Sequence, residues 1–315
     1  MLTIYKSTTE GQFKQVENIE KNSWLQLIAP TATEIDKVVK ALAIPRDFIT
    51  DSLDINERPR IEERDEATLI VIHIPFDRLD VVNPFDDVKY RTIPLGIIHT
   101  KDHLITICKE KVPFMQAFFN REAPQFGTHM KTRNTLGILG ETSRLYIDFL
   151  ETIEKSIANV EAELAESYQN RELYALLYLN ESLLYIATSL KQMKSVMGKI
   201  VQGNYIKLYN DDTEILDDAL IELEQAHTVA EISQLNLNNI MDAYGNVIQN
   251  NVSHVVKFLT AIAIVLSLPT LVASIYGMNV PLPFQDEPYA FTVIIAIMIG
   301  ISGIFSFVFH KKNYF

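Results

Sequence analysis

The fold of this chain is decided near its carboxyl end, by the stretch Tyr276-Gly277-Met278-Asn279-Val280-Pro281-Leu282-Pro283. One apolar run, residues 255–276, ends in this stretch, and a second, residues 290–309, follows it. Each run has about 20 residues, which is the length a helix needs to cross the roughly 30 Å hydrocarbon core of a bilayer. The connection, residues 277–289, contains three prolines, which do not allow one continuous helix. The sequence therefore predicts two membrane-spanning helices joined by a short loop.

Bulk composition excludes several classes of protein. The chain has 315 residues, of which 48% are hydrophobic, and this allows a sizeable soluble core together with a small membrane part. A net charge of −12 argues against a nucleic-acid partner, because nucleic acid selects basic surfaces. The single cysteine, Cys108, excludes an internal disulfide and indicates a reducing compartment. The first residues show no basic segment followed by an apolar run, so no signal peptide is predicted.

The charges that flank the two runs predict the topology. Lys257 lies at the start of the first run, and residues 310–312 add basic side chains after the second. The loop 277–289 has no Lys or Arg and carries Asp286 and Glu287. The positive-inside rule then places both termini in the cytoplasm and the loop outside, in a cytoplasmic membrane.

Residues 1–132 are predicted to form a cytosolic mixed α/β domain. Thr31 or Thr33 can cap a helix, and Pro45 can open another. Short β-branched runs predict the strands of a sheet; they lie at residues 24–29, 60–63, 67–74, 90–100 and 103–108. No glycine-rich phosphate loop and no catalytic constellation is recognisable, so an enzyme anchored by its tail has no supporting motif.

Residues 133–254 are predicted to form a helical hairpin and a long stalk helix. Apolar residues recur every three or four positions from 135 to 200, with a break near Asn170 and a turn at Gly203. Between Asp212 and Tyr276 the only breakers are Gly245 and Pro269. At 1.5 Å per residue a helix over this range would be about 95 Å long, so we expect a cytosolic stalk that continues into the membrane domain, residues 255–315.

Small side chains form a stripe along the first span. Ser253, Thr260, Ser267 and Ser274 recur at every seventh position, and Val256, Ala263 and Thr270 lie on nearly the same face, with Gly277 at its end. One interpretation is close helix packing, which small residues favour in membranes. The other is the lining of a pore. Since two spans cannot enclose a pathway, a pore would need several copies around an axis. The continuation of the period to residues 277–279 favours the pore.

The motif Tyr276-Gly277-Met278-Asn279, at the end of the first of two carboxyl-terminal spans, resembles that of the CorA family of magnesium transporters. The resemblance implies a homo-pentamer, with the stalk helices and first spans around the axis and the second spans outside. It also implies that Mg²⁺ is both substrate and regulatory ligand, bound by cytosolic acids between subunits. Asp217 and Asp218 match the stalk side of that site, and Asp86 or Asp87 are candidates for the partner side.

The chemistry of the span is compatible with this resemblance. Mg²⁺ prefers oxygen ligands and sheds its water reluctantly. Hydroxyl groups, Gly277 carbonyls and Asn279 amides can hold the hydrated ion without charged ligands, while Val256 and Leu259 can form an apolar gate. Pro269 would kink the helix near its middle. The loop departs from the commoner family pattern, because Asp286 and Glu287 follow Pro-Leu-Pro, which leaves their role in attracting cations open.

Acidic and histidine clusters elsewhere have plainer interpretations. The spacing of His73, His99 and His103 matches no zinc motif, and ordinary sheet histidines are favoured. A solvated hairpin loop is favoured over a cation site for the acids at 77–87.

These observations predict an α+β fold and a divalent-cation channel that carries Mg²⁺, with Co²⁺ or Ni²⁺ as further cargo. Its partners are copies of itself and the lipid membrane. Two alternatives stay open: a transporter of Zn²⁺ or another divalent ion with the same fold, and a two-span sensor or scaffold that conducts nothing.

Overall fold

β-Branched and aliphatic runs in the amino-terminal part pair into one sheet. The computed structural model describes residues 1–8, 12–78, 80–81, 87–119, 127–166, 170–203, 205–283 and 287–314. Within them the strands are β1 (Leu2–Ser7), β2 (Phe13–Val16), β3 (Trp24–Ile28), β4 (Arg60–Arg64), β5 (Ala67–Asp77), β6 (Tyr90–His99) and β7 (Leu104–Cys108). They form a seven-stranded sheet in the order β2-β1-β3-β7-β6-β5-β4. Neighbours are antiparallel except for β3 and β7, which are parallel.

Both faces of the central strands are covered. The run 69–72 in β5 is fully buried, as a strand covered on both sides requires. Helices α1 (Ala32–Leu42) and α2 (Arg46–Asp51) pack on one face, where Val38 and Phe48 join the core. Helices α4 (Lys131–Glu166) and α5 (Asn170–Val201) contact β5, and α5 also contacts β6. The predicted strands and the mixed α/β character are confirmed.

Local capping decides where the first helices begin. Of the two predicted caps, Thr31 is the one used: its hydroxyl accepts from the Glu34 amide at 3.3 Å. The Glu34 carboxylate in turn accepts from the Thr31 amide at 2.8 Å, which completes a capping box. Pro45 immediately precedes α2, as predicted.

An aromatic cluster closes the sheet beside β3. Helix α3 (Pro113–Phe119) brings Phe118 and Phe119 against the fully buried Trp24, with ring centroids 5.6 and 4.8 Å away. Cys108, on the adjacent strand β7, is also buried, and its thiol donates to the Pro94 carbonyl at 3.5 Å. Burial raises the pKa of this thiol to about 11.

The carboxyl-terminal half is helical. After α5, Gly203 takes a positive φ of 77°, and a short 3₁₀ helix at Asn210–Asp212 leads into α6 (Thr213–Tyr276). Helix α6 is continuous over 64 residues and contains Pro269. Helix α7 (Ala290–Lys311) follows the loop. The predicted hairpin and long helix are confirmed.

The first part of α6 packs against its own chain. Its buried positions recur mostly every three or four residues: Leu216, Ala219, Leu223, Ala226, Ala230, Ser233 and Leu237. The flanks are tied to α4 and α5 by Arg144–Glu222 at 2.9 Å and Lys194–Glu224 at 2.6 Å. The apolar seam of the stalk is therefore used for intramolecular packing.

The chain divides into two compact units, Met1–Asn238 and Asn239–Phe315. The predicted boundaries at 132 and 254 stay predictions. Among the described residues, α6 and α7 are the two helices long and apolar enough to cross a membrane by length and composition. Large apolar side chains cover both, and Leu266 and Ile299 are 65% and 68% exposed, as contact with lipid requires.

Candidate ion pathway

One face of the apolar part of α6 packs against α7. Ala261 is fully buried, and Val265, Pro269 and Val272 are half-buried. These positions share a face at 3.6 residues per turn. Val265 and Pro269 line the same groove as Met298 of α7. This face is therefore the contact between the two spans.

The predicted stripe lies on the opposite face. Within the second unit its members from residue 256 onward are exposed: Val256, Thr260, Ala263, Ser267, Thr270 and Ser274. Their centre lies about 175° around the helix from the face that contacts α7, at 100° per residue. Ser253, one turn earlier, is half-buried. Since α7 leaves the stripe uncovered, the stripe is free to face another copy or a water-filled path.

Four hydroxyl groups of the stripe donate to their own helix. Thr260 bonds the Val256 carbonyl at 2.8 Å, and Ser267 bonds the Ile264 carbonyl at 3.0 Å. Ser253 and Thr270 make the same kind of bond to the carbonyls of Gln249 and Leu266, at 2.9 and 3.0 Å. A hydroxyl whose single proton is used in this way presents its oxygen as an acceptor. Water bound to a cation can only donate, so this surface suits a hydrated cation.

The motif at residues 277–279 follows the last turn of α6. The Gly277 and Met278 amides continue the helical pattern, donating to Ala273 at 3.0 Å and Ile275 at 3.2 Å. The Tyr276 hydroxyl donates to the Pro283 carbonyl at 3.2 Å and ties the loop to the helix end. Asn279 is exposed. A Cβ on Gly277 would lie 3.4 Å from the Ala273 carbonyl oxygen, close to ordinary contact, so the requirement for glycine does not arise from backbone conformation within one chain.

The predicted gate residues lie on the exposed side of the helix. Val256 and Leu259 are 55% and 57% exposed. Both fall within about 60° of the centre of the stripe. Their role stays a prediction, as does that of the whole lining.

The stalk acids Asp217 and Asp218 are exposed and point in different directions. Asp218 lines a groove against α4 that also holds Arg144 and Glu222, whereas Asp217 does not. The pKa of Arg144 is raised chiefly by its hydrogen bond to Glu222, with a smaller contribution from Asp218. A cation at Asp218 would therefore have a guanidinium as its neighbour.

Of the two amino-terminal candidates for the regulatory site, only Asp87 lies within the described residues. Asp86 lies outside the described residues. Asp87 accepts from the Val88 amide and from Arg78, each at 2.6 Å, and these two bonds lower its pKa. Within the described ranges, no group of three or more His, Cys, Asp or Glu side chains is arranged to hold a metal. A regulatory site built from these acids therefore remains a prediction that would draw on more than one chain.

The sheet histidines have separate partners, as ordinary sheet histidines do. His73 bonds Ser189 Oγ at 2.8 Å, and His99 bonds Thr135 Oγ1 at 2.7 Å. His103 bonds the Glu20 carbonyl at 3.2 Å.

The two loop acids remain without an assigned role. Asp286 lies outside the described residues, while Glu287 is exposed and its carbonyl accepts from the Ala290 amide at 3.0 Å. In the structure Glu287 therefore marks the start of α7.

Sequence reasoning did not identify the basic partners Arg78 and Arg144 or the α7-facing position Ala261. The arginine Arg78 lies only nine residues from Asp87, so its charge was a usable signal. Arg144 is 78 residues from Glu222, and only the tertiary structure brings them together.

The chain combines a sheet domain, a long helix that continues into the first span, and a second span that packs on the first. The face of the first span opposite this contact carries hydroxyl oxygens. Together these features define a two-span membrane transport protein. Residues 20–311 match the family model described as "CorA-like Mg2+ transporter protein", and the chain belongs to this family. The resemblance predicted from residues 276–279 is confirmed, and so is divalent-cation transport as the function of the family.

Relatives match along nearly the whole chain. The cobalt/magnesium transport protein CorA of Methanocaldococcus jannaschii is 24% identical over 297 residues, which cover 92% of this chain and 90% of the relative. The magnesium transport protein CorA of Campylobacter jejuni strain RM1221 is 24% identical over 348 residues, covering 99% of each.

Solved structures confirm the predicted fold class. The complete structure of the CorA magnesium transporter from Methanocaldococcus jannaschii has a TM-score of 0.85 at 22% identity, covering 100% of this chain and 99% of that one. The ZntB cytoplasmic domain from Vibrio parahaemolyticus has a TM-score of 0.62 at 13% identity, covering 79% of this chain and 98% of that one. These structural similarities show the fold. They do not decide which ion is transported.

Proposed function

We propose that this chain forms a homo-oligomer, expected to be a pentamer, that conducts Mg²⁺ across the cytoplasmic membrane with both termini in the cytosol. One observation carries the proposal. Helix α7 packs on one face of the membrane part of α6, and the hydroxyl stripe is exposed on the opposite face, running to residues 277–279. Family membership supports Mg²⁺ as cargo, and the name of the Methanocaldococcus relative supports Co²⁺ as a second.

In the proposed pathway the ion keeps its water. Coordinated waters donate to the oxygens of Thr260, Ser267 and Thr270, which already use their protons within the helix. A ring of Asn279 amides selects the hydrated ion at the mouth. The stripe carries no charged side chain, so the ion is held weakly enough to leave. When the Val256 and Leu259 side chains of all copies move together around the axis, they would expel water from the cytosolic end of the pathway.

Glycine at position 277 fits the same assembly. Its missing side chain lets neighbouring copies approach the axis, since small residues permit close contact between membrane helices. The Gly277 carbonyls then lie near Asn279.

Regulation by internal Mg²⁺ is part of the proposal. Asp217 and Asp218 of one copy, with Asp86 or Asp87 of its neighbour, bind Mg²⁺ and stabilise the closed arrangement. A coupling of about 1–3 kcal/mol per site is sufficient, because several equivalent sites add. In the single chain Arg78 pairs with Asp87, and Arg144 lies close enough to Asp218 for their charges to interact, so Mg²⁺ has to compete with guanidinium groups.

Flux into liposomes tests the pathway. Purified protein is reconstituted with an internal Mg²⁺ indicator, and Asn279→Ala is compared with Asn159→Ala, an exposed asparagine on α4. We expect Asn279→Ala to abolish uptake while the oligomer still elutes at its normal size, and Asn159→Ala to behave as wild type. Normal flux in well-assembled Asn279→Ala protein would remove the selectivity role.

The same assay separates the alternatives. Uptake of Mg²⁺ no faster than in empty liposomes favours the non-conducting scaffold. A competition series in which Zn²⁺ blocks Mg²⁺ entry far more strongly than Co²⁺ does, and itself enters, favours a zinc transporter of the same fold.

A further inference from the structure

A cavity in the first unit contains none of the residues proposed for the ion pathway and none of the proposed regulatory acids. Its volume is about 610 Å³, within the range of small-molecule sites. The end of β6, the first turn of α4 and the segment before α6 meet around it, contributing His99, Lys131 and Tyr209 among others.

The inner wall carries a lysine that, among the described residues, forms no ion pair. Lys131 is half-buried, and its ammonium donates to the carbonyls of Thr100 and Lys101. In the part of the chain that the structure describes, no carboxylate forms an ion pair with it. Burial lowers its pKa, and the nearby charge of Asp102 partly offsets that shift. Lys131 also begins the 36-residue helix α4, whose amino-terminal amides and dipole add further positive potential. An anion bound here would neutralise both the Lys131 ammonium and the positive end of the α4 dipole.

His99 provides an independent observation in the same wall. The residue is only 9% exposed, and its Nε2 bonds Thr135 Oγ1 at 2.7 Å. Its Nδ1 has no hydrogen-bond partner anywhere in the described ranges. Burial lowers the pKa of His99 to about 3, so the ring is neutral near pH 7. When Nε2 accepts from Thr135, Nδ1 carries the proton and is an unused donor on a residue that lines the cavity.

The acids of the cavity are largely occupied. Asp212 accepts from Arg133 at 3.1 Å and from the Tyr209 amide at 3.3 Å, and Asp211 lies 3.9 Å from Arg133. Glu66 is exposed at the rim. Two of the lining acids, Asp211 and Asp212, are therefore engaged by Arg133 and not by Lys131.

The outer part of the cavity offers an aromatic surface. The Tyr209 ring is 56% exposed, and the Lys207 ammonium lies 5.0 Å from its centroid. An exposed aromatic ring can stack on a nucleobase, and the lysine beside it can hold a negative group. Lys101, exposed at the rim, adds another cation.

From these contacts we propose that the cavity binds a phosphorylated nucleoside. The phosphate groups lie against Lys131, the His99 Nδ1–H and the first turn of α4, where free amides favour anions. The base stacks on Tyr209 beside Lys207. The proposal does not depend on ion conduction, and its test does not require transport.

Equilibrium binding to the full-length protein in nanodiscs tests the proposal. The probe is a fluorescent N-methylanthraniloyl derivative of ADP in Mg²⁺-free buffer, with unlabelled ADP, pyrophosphate, inorganic phosphate and adenosine as competitors. The variants are Lys131→Gln, which keeps a donor to the two carbonyls, Lys207→Glu on the exposed rim, and the control Lys191→Gln on the exposed face of α5.

We expect saturable binding that weakens about tenfold or more in Lys131→Gln, since a charge-assisted hydrogen bond is lost. Binding should also weaken in Lys207→Glu, which cannot disturb buried packing, and stay unchanged in Lys191→Gln. ADP should compete best, pyrophosphate less well, and adenosine weakly. Absence of saturable binding, or equal binding in all three variants, would overturn the proposal. Inorganic phosphate or pyrophosphate competing as well as ADP would overturn its nucleoside part.

Discussion

Replacing His99 by glutamine should flatten the pH dependence of folding of the first unit. In the native protein the ring is buried at the end of β6 and bonded to Thr135, and its pKa is lowered to about 3. Burial is the main cause, and the nearby charge of Lys131 adds to it. Glutamine has an amide that can bond the Thr135 hydroxyl but does not titrate.

The size of the effect follows from proton linkage. An unfolded histidine has a pKa of about 6.5 and takes up a proton as the pH falls below that value, while native His99 stays neutral until about pH 3. The contribution of His99 is therefore fully present above pH 6.5 and is lost as the pH falls toward its folded pKa. Between about pH 7.5 and pH 5 the loss amounts to roughly 2 kcal/mol.

The single tryptophan makes the measurement direct. Trp24 is fully buried in the sheet, so its fluorescence reports unfolding of the first unit in urea. Midpoints at the two pH values, in wild type and in His99→Gln, give four free energies of unfolding. The difference between the two pH dependences isolates His99 from other groups such as His73, whose pKa is also lowered by burial.

We expect wild type to lose about 2 kcal/mol more than the variant on going to the lower pH. His99→Asn, with a shorter amide, serves as a second non-titrating variant in case glutamine packs poorly. Equal pH dependence in wild type and both variants would refute the reasoning, because it would mean that His99 titrates alike in the folded and unfolded chain.

Three further predictions concern the ion pathway and its regulation. Cysteines at Ser253, Thr260 and Ser267 should react with a water-soluble thiol reagent and block flux, whereas cysteines at Ala261, which faces α7, and at Leu266 should not; equal reactivity on all faces would leave only the packing interpretation. Asp217→Asn with Asp218→Asn should leave Mg²⁺ flux high at internal Mg²⁺ concentrations that shut the wild type, and unchanged feedback would exclude these residues as the sensor. Arg78→Gln removes the 2.6 Å partner of Asp87, so feedback should set in at lower internal Mg²⁺; a set point that stays the same would show that Asp87 takes no part.

Long periodic segments were predictable from sequence, because many residues report the same helix. The boundaries of α5 at Asn170 and α6 near Asp212 follow from breaks in the apolar period. Strands β1 and β2 were not predicted. The four residues Phe13–Val16 bury little, and their pairing with Leu2–Ser7 is decided by tertiary contact. Helix α3 was missed because its seven residues, Pro113–Phe119, show an aromatic cluster without a resolvable period.

The candidate pathway, too, was only partly predictable from the sequence. The stripe could be found from spacing alone, since residues seven apart on a helix share a face. That α7 lies opposite the stripe could not, because α7 is apolar all round and its sequence does not select a contact face. The neighbours of Asp218 were likewise hidden, since Arg144 comes from a different helix.

The single thiol, Cys108, lies on the central strand of the sheet, and its rate of chemical modification can measure how often the sheet opens locally. At neutral pH Cys108 is protonated and shielded, since burial raises its pKa to about 11, so a thiol reagent can reach it only when this part of the sheet opens. Thiolate is the reactive form, and its rate of modification in the native protein therefore counts how often that part of the sheet separates. Measured with Mg²⁺ present and absent, this rate would show whether Mg²⁺ also stabilises the first unit against this opening.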